Sequence, residues 1–149
     1  MKNKQQLDPL SNKFTRAAVS ILSFSSRLEY GMSGLLKPLS LTMPQFNALC
    51  VLASRHPEPT VLKNLTEQMI DKSSNTSRLV DKLAEKKLVV RQLTTTDKRI
   101  IHICLTEEGL NITNGISDTM ETHLNERFAP DEQNNAAELL EALKILRGE

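Results

Sequence analysis

Residues 71–105 read DKSSNTSRLVDKLAEKKLVVRQLTTTDKRIIHICL, and the hydrophobic period changes halfway along this run. Up to about Lys87 the apolar residues recur at helical spacing. Two runs rich in β-branched and other apolar residues follow, at 88–93 and 100–105, on either side of a polar segment. The sequence therefore predicts a helix followed by a β-hairpin whose tip, residues 94–99, is polar and basic.

The predicted helix has two chemically different sides, since successive residues are rotated by about 100°. Asp71 or Ser73 is expected to cap its N-terminus, and Ser74 and Asn75 are further candidates for the cap. The apolar side consists of Thr76, Leu79, Val80, Leu83 and Ala84. The opposite, polar side consists of Ser74, Asn75, Arg78, Asp81 and Lys82.

Helical patterns also precede this run. Residues 13–36 carry apolar side chains at alternating steps of three and four, and Pro38 is expected to end that helix. The pattern is close to a heptad, so this face is expected to pack on a partner helix, in the same chain or another. Thr42 and Gln45 predict a capping box at the start of a second helix. Thr60 is expected to cap a short third helix.

Two more helices are predicted after the hairpin. Thr106 is expected to cap the first of them, and acidic residues in its first turn suit the positive end of the helix dipole. Pro130 begins the last helix. The outer helices carry more apolar surface than a three-helix module needs, which indicates a dimer interface.

Charge is distributed unevenly, although the formal net charge is only +1. Residues 72–99 hold eight basic and three acidic side chains, a net +5, whereas residues 106–149 hold three basic and ten acidic ones, a net −7. A basic middle region beside an acidic tail is typical of a nucleic-acid-binding module with a separate non-binding part. Charge alone leaves a solvated surface as the alternative.

Composition argues against several other classes of protein. Aromatic residues make up 3% of the chain, too few for a stacking platform that binds single strands. No apolar run approaches the roughly 18 residues of a membrane span, and residues 1–6 lack the apolar core of a signal peptide, so a cytoplasmic chain without a membrane partner is expected. We find no metal-ligand spacing, nucleophile–base pair or phosphate-binding glycine loop, so we expect no metal, no cofactor and no enzymatic activity.

The predicted order defines a fold class. The chain is expected to be mainly α with a small β-hairpin wing, as one domain over residues 1–149. Helices two to four and the hairpin form a winged helix-turn-helix lobe at about residues 42–105. The helices at about residues 12–38 and 106–147 are expected to be dimerisation helices.

Three short motifs follow one another in the second half of the chain. They are residues 74–83 (SNTSRLVDKL), Asp97-Lys98-Arg99, and residues 105–109 (LTEEG). In this order they resemble the recognition helix, the D-x-R wing signature and the L-T-x-x-G element of the MarR family (multiple antibiotic resistance regulators). The resemblance covers about residues 12–147. It implies a homodimer with interlocked outer helices that binds palindromic double-stranded DNA operators, usually as a repressor, and often releases DNA on binding a small phenolic or lipophilic effector.

The predicted DNA-binding residues lie on the polar side of the fourth helix, at its N-terminus, on the third helix and at the wing tip. Such a helix suits the major groove, and cations at the tip can reach a phosphate or the minor groove. Solvent exposure alone is the alternative for Lys63 and Lys82. The predicted set is Lys63, Ser73, Ser74, Asn75, Ser77, Arg78, Lys82, Lys98 and Arg99.

Two other expectations concern single residues. Asp97 is expected to hold Arg78 or Arg99 in place, with a turn-forming role as the alternative. Lys87 stands where the MarR family often has glycine, so the fourth helix is expected to end without a left-handed residue.

The first long helix has no cysteine near its start, unlike the peroxide-sensing branch of the family. Cys50 is expected in the core and Cys104 in a partly exposed position, without a sensor role for either. The second functional hypothesis is a winged-helix protein-interaction module that does not bind DNA, which the basic residues 72–99 argue against. Five apolar residues of the first two helices are expected to be ordinary core residues, with the lining of an effector cavity near the first, second and fifth helices as the alternative. These residues are Phe14, Phe24, Met32, Met43 and Phe46.

Overall fold

The computed structural model of the chain describes residues 12–73, 75–93, 101–127, 141, 143 and 144. The sequence-based prediction of a mainly α fold with a small β-hairpin is confirmed. The hairpin tip and most of the predicted last helix lie outside the described residues. The elements, in chain order, are α1 (Lys13–Leu36), α2 (Met43–Ala53), β1 (Thr60–Val61), α3 (Leu62–Gln68), α4 (Thr76–Glu85), β2 (Val89–Leu93), β3 (Ile101–Leu105) and α5 (Glu107–Arg127).

Two sequence-based predictions concern the end of α1 and the start of α2, and both are confirmed: Pro38 ends the first helix and a capping box begins the second. α1 runs into a single 3₁₀ turn that contains Pro38, whose ring cannot continue the helix. At the start of α2 the Thr42 N–H donates to Gln45 Oε1 at 2.9 Å, and the Gln45 N–H donates to Thr42 Oγ1 at 3.4 Å. This capping box satisfies two N–H groups that would otherwise lack a partner in the helix.

The start of α3 differs from the prediction. Thr60 does not cap this helix; it lies in strand β1, where it pairs antiparallel with Ile103 of β3. α3 begins after Val61, which offers no side-chain cap. The result is a three-stranded antiparallel sheet in the order β1-β3-β2. The sequence around Thr60 could not reveal this pairing with β3, because a two-residue strand has no period.

One cluster of apolar side chains joins α2, α3, α4 and the sheet. α1 contributes to it only through its C-terminal end, with Met32 and Leu36, and α5 contributes Ile116. Full burial of each such side chain stabilises the fold by about 1.5–3 kcal/mol. The largest fully buried side chains are Leu36, Leu49, Leu65, Val80, Leu83, Val89 and Ile103.

The end of α4 corrects a second prediction. Lys87 has a φ of 61°, so the left-handed residue expected to be missing is present and is a lysine. The Leu88 N–H donates to Leu83 O at 3.0 Å and the Lys87 N–H to Ala84 O at 2.9 Å. These two bonds form a Schellman motif, and the two leucines that accompany it are buried. Satisfying the last carbonyls of α4 offsets the cost of a left-handed lysine.

Residues 105–109, the LTEEG motif, join α5 to the end of α4. Thr106 caps α5 as predicted: its Oγ1 accepts from the Gly109 N–H at 3.0 Å, and its hydroxyl lies 2.8 Å from Lys87 O, to which it can donate. A Cβ on Gly109 would collide with the carbonyl oxygen of Leu88. The glycine of this motif therefore permits a close approach of α5 to the chain between α4 and β2.

Candidate nucleic-acid interface

The N-terminus of α4 is capped by Asn75, one of the candidates, and not by Asp71 or Ser73. Asn75 Oδ1 accepts from the Arg78 N–H at 3.2 Å. Asp71 Oδ1 instead accepts from the Ser73 N–H at 2.9 Å and from the Ser73 hydroxyl at 2.6 Å. The side chain of Asp71 thus stabilises the turn before α4, which removes both predicted caps from the helix end.

The two sides of α4 are as predicted. Leu79, Val80 and Leu83 are buried against the core, and Thr76 and Ala84 lie on the same side. Arg78 and Lys82 are exposed and one helical turn apart. The helix therefore presents two cations to solvent while its other side is held in the core.

The structure places the remaining predicted site residues around α4. Ser73 is exposed before the helix, Ser77 is half-buried on it, and Lys63 is exposed on α3. Lys63 and Ser77 border the same pocket of about 360 Å³, which lies between α3, α4 and the sheet. Ser74, Asp97, Lys98 and Arg99 lie outside the described residues.

Arg91 on β2 also belongs to this surface, although sequence reasoning did not single it out. Its Nη2 lies 2.9 Å from Asp81 Oδ1. The same nitrogen donates to Ser77 O at 3.2 Å and to Ser77 Oγ at 3.4 Å. In the sheet Arg91 pairs with Ile103, which is buried, and this pairing could not be read from the sequence of either strand alone.

A second pocket, of about 350 Å³, lies between α1, α2 and the segment that follows α3. Of the five residues expected in the core, Met32 and Phe46 are buried there, and Met43 packs against the core and also borders this pocket. Phe14 and Phe24 are exposed on α1, so the expected core packing is wrong for these two. The pocket is lined by Glu29, Ser33, Met43, Pro44, Asn47, Met69, Ile70 and Asp71.

The two cysteines are half-buried, Cys50 on α2 and Cys104 on β3. Burial raises the pKa of both thiols above the ordinary value, because a thiolate is poorly solvated there. Both side chains therefore stay protonated at neutral pH, the less reactive form. Among the described residues, no group of three or more His, Cys, Asp or Glu side chains is arranged to hold a metal ion.

No helix in the described part of the chain is both long enough and apolar enough to cross a membrane.

Fold and surface together define a class of protein, the transcription regulators with a winged helix-turn-helix. The model of the family named transcriptional regulator SarA/Rot matches residues 32–116, more than half of the chain. The chain therefore belongs to the SarA/Rot family of transcriptional regulators. A search of curated proteins finds none that matches.

Solved structures of MarR-family regulators share this fold, which confirms the resemblance seen in the sequence. A MarR-family regulator from Rhodococcus sp. RHA1 is 21% identical, with a TM-score of 0.73 over 91% of this chain and 94% of that one. Wild-type apo MarR from E. coli is 23% identical, with a TM-score of 0.68 over 85% and 95%. MepR of S. aureus in its DNA complex is 21% identical, with a TM-score of 0.69 over 89% and 97%.

Proposed function

We propose that this chain is a transcriptional regulator that binds a palindromic operator in double-stranded DNA as a homodimer, with the exposed side of α4 in the major groove. The observation that carries the proposal is the division of α4 between a buried apolar side and an exposed side with Arg78 and Lys82. Membership of the SarA/Rot family and the likeness to DNA-bound MepR support it.

The dimensions and chemistry of α4 suit this role. Ten residues of helix are about 15 Å long, and a helix about 10–12 Å in diameter fits a major groove about 12 Å wide. Arg78 and Asn75 have the side-chain types that read guanine and adenine edges. Ser73, Ser74, Ser77, Lys63 and Lys82 would bond phosphates, and Lys98 and Arg99 at the wing tip would do the same or enter the minor groove, with Asp97 positioning the arginine.

The homodimer would be held by the outer helices, at about residues 12–38 and 106–147, around the DNA-binding lobe at 42–105. On α1 the side chains of Phe14 and Ile21, which share the predicted apolar face, are 74% and 42% exposed in the single chain, and Leu22 beside them is 69% exposed. Apolar surface of this extent along one helix is typical of an interface. A second copy would cover it, because the same helix in the other chain carries the same apolar pattern.

We further propose that the regulator is a repressor released by a small lipophilic effector, and that the pocket between α1 and α2 holds this molecule. The pocket borders Ile70, whose N–H donates to Asn47 Oδ1 at 2.8 Å. Residues 70–75 connect α3 to α4, so a ligand that moves Ile70 would move the start of α4. Glu29 and Asp71 border the pocket and disfavour an anion, so a phenolic effector would bind in its neutral form.

The charge of the effector is testable with three probes of similar size: naphthalenemethanol, naphthylmethylamine and naphthoate. We expect the alcohol and the amine to raise the thermal midpoint and to weaken DNA binding, and the carboxylate to do neither. Glu29→Gln removes a negative charge from the pocket border, so it should weaken the effect of the amine relative to that of the alcohol. The strongest response to naphthoate would contradict this assignment of the pocket.

The DNA-binding proposal is tested by selection from a library of random duplexes at about 100 mM salt, where phosphate contacts are still strong. Wild type, Arg78→Ala/Arg99→Ala and the control Arg55→Ala are compared; Arg55 is an exposed arginine in the turn after α2. We expect wild type and the control to enrich a palindrome with half-sites about 10 base pairs apart, and the double variant to lose it.

Two results would overturn the proposal. Equal enrichment by the double variant would mean that α4 and the wing do not read DNA. No enrichment by wild type would favour the second hypothesis, a winged-helix module that binds a protein partner.

A further inference from the structure

We propose that Arg91 is a positioning residue for DNA recognition, which holds α4 at one orientation against the β-hairpin without itself contacting DNA. This inference rests on the proposed function, since it concerns how α4 is presented to the major groove. It concerns a residue outside the set of DNA contacts predicted from the sequence.

Arg91 contacts two residues of α4 that lie one helical turn apart. Its guanidinium lies 2.9 Å from the carboxylate of Asp81 and donates to the carbonyl oxygen of Ser77 at 3.2 Å. Ser77 and Asp81 are four residues apart, so they are neighbours along the same side of the helix. One side chain from the sheet therefore holds two consecutive turns of α4.

Arg91 is itself well anchored. It pairs with Ile103 of β3 in the sheet register, and Ile103 is fully buried. β2 pairs with β3 along its whole length, from Val89 to Leu93. The position from which the guanidinium reaches α4 is thus fixed by the sheet and not by a loop.

The buried side of α4, which includes Val80 and Leu83, holds the helix in the core. A contact away from that side adds a further restraint on rotation of the helix about its axis. Arg91 provides one, because Ser77 is half-buried and Asp81 is exposed at the boundary between the two sides.

Because the Arg91–Asp81 ion pair is exposed, its loss should affect the orientation of α4 more than the free energy of unfolding. The side chains of Arg91 and Asp81 are 31% and 51% exposed. Ion pairs this accessible to solvent contribute little to the free energy of unfolding. A change in the orientation of α4, by contrast, moves every base-reading side chain on it at once.

The two possible roles of Arg91 predict opposite effects for its partner. If Arg91 bound a phosphate, removing the carboxylate of Asp81 would release the arginine and remove a repulsive charge, and operator binding would tighten. If Arg91 positions α4, removing that carboxylate breaks the link and discrimination between DNA sequences falls. The variant Asp81→Asn therefore separates the two roles.

The experiment measures the ratio of dissociation constants for a scrambled duplex and for the selected operator, which cancels changes in general electrostatic attraction. Wild type, Asp81→Asn, Arg91→Gln and the double variant are compared with Glu85→Gln, an exposed carboxylate one turn further along α4. We expect each single variant to lower the ratio by about five- to tenfold. The double variant should lower it no further, and Glu85→Gln should not change it.

An unchanged ratio in Arg91→Gln, or an unchanged or higher ratio in Asp81→Asn, would overturn the positioning role. A wild type without any operator preference would instead refute the proposed function, and hydrogen exchange of the DNA-free chain then decides about Arg91. Amides of residues 77–82 should exchange faster in Arg91→Gln than in wild type or Glu85→Gln. Equal exchange in all three would overturn the inference independently of DNA.

Discussion

α1 and α4 are both amphipathic helices, yet among the described residues only α4 has its apolar side covered along the whole helix. α4 buries Leu79, Val80 and Leu83, whereas α1 buries only Met32 and Leu36, both in its last two turns. The remaining length of α1 is exposed or half-exposed. The hydrophobic period therefore shows which side chains share a face of a helix, and the fold shows whether the same chain covers that face.

The largest expected effect is on the free energy of unfolding, and it compares a side chain in the core with one on the outer helix α1. Leu49→Ala, in the core, should lower the free energy of unfolding by about 2–5 kcal/mol at any protein concentration. Leu22→Ser, on the exposed face of α1, should act through dimer dissociation, so its cost should depend on protein concentration. Urea unfolding at two concentrations measures both. A large, concentration-independent cost for Leu22→Ser would place that side chain in the core of its own chain.

Two glycines of α5 test how closely the outer helix approaches the DNA-binding lobe. Gly109→Ala should destabilise by about 1–3 kcal/mol, because its Cβ would meet the Leu88 carbonyl. Gly115→Ala should stabilise by about 0.5–1 kcal/mol, because a Cβ there meets nothing within 4 Å and alanine favours a helix. Thermal unfolding measures both. Effects of the same sign would contradict the close approach at Gly109.

The end of α4 offers a smaller, matched test. Lys87→Gly should stabilise by about 0.5–1 kcal/mol, because glycine adopts the left-handed φ of 61° without strain. Lys86→Gly, one residue earlier in a right-handed conformation, should destabilise by a similar amount. Chemical denaturation of the two variants gives the difference. Destabilisation by Lys87→Gly would rule out the left-handed end of α4.

The smallest effect compares cations on the two helices. Lys82→Ala on α4 should lower the slope of log affinity against log salt by about 0.9, the contribution of one phosphate contact. Arg16→Ala, an exposed cation on α1, should leave the slope unchanged. Titration of the operator at several salt concentrations gives both slopes. A change confined to Arg16→Ala would mean that DNA contacts α1 and not α4.

Signals that act within a few residues were predicted correctly from the sequence. The capping box of Thr42, the threonine cap of α5 and the bounds of α1 depend on neighbouring side chains, and the structure has each of them. The burial pattern of α4 could also be predicted from the sequence, since it follows from the helical period. The fold class depends on these elements and their order.

The features that sequence reasoning missed depend on distant partners or on local competition. Thr60 forms a strand because β3, more than forty residues away, supplies the pairing partner. Ser73, Ser74 and Asn75 are adjacent and each has a side chain that can cap a helix. Asp71 binds Ser73 in the turn before α4, and Asn75 is the cap. The contact between Arg91 and Asp81 joins a strand to a helix, so neither the period of the strand nor that of the helix reveals it.

The most direct test of the account is the mass of the chain in solution, because DNA reading by two lobes and the exposed face of α1 both require a second copy. Light scattering during size-exclusion chromatography at micromolar concentration measures it for wild type and for Phe14→Ser/Ile21→Ser, whose two side chains share the apolar face of α1. We expect the mass of two chains for wild type, and a shift towards one chain for the double variant. A wild-type mass of one chain would contradict the account.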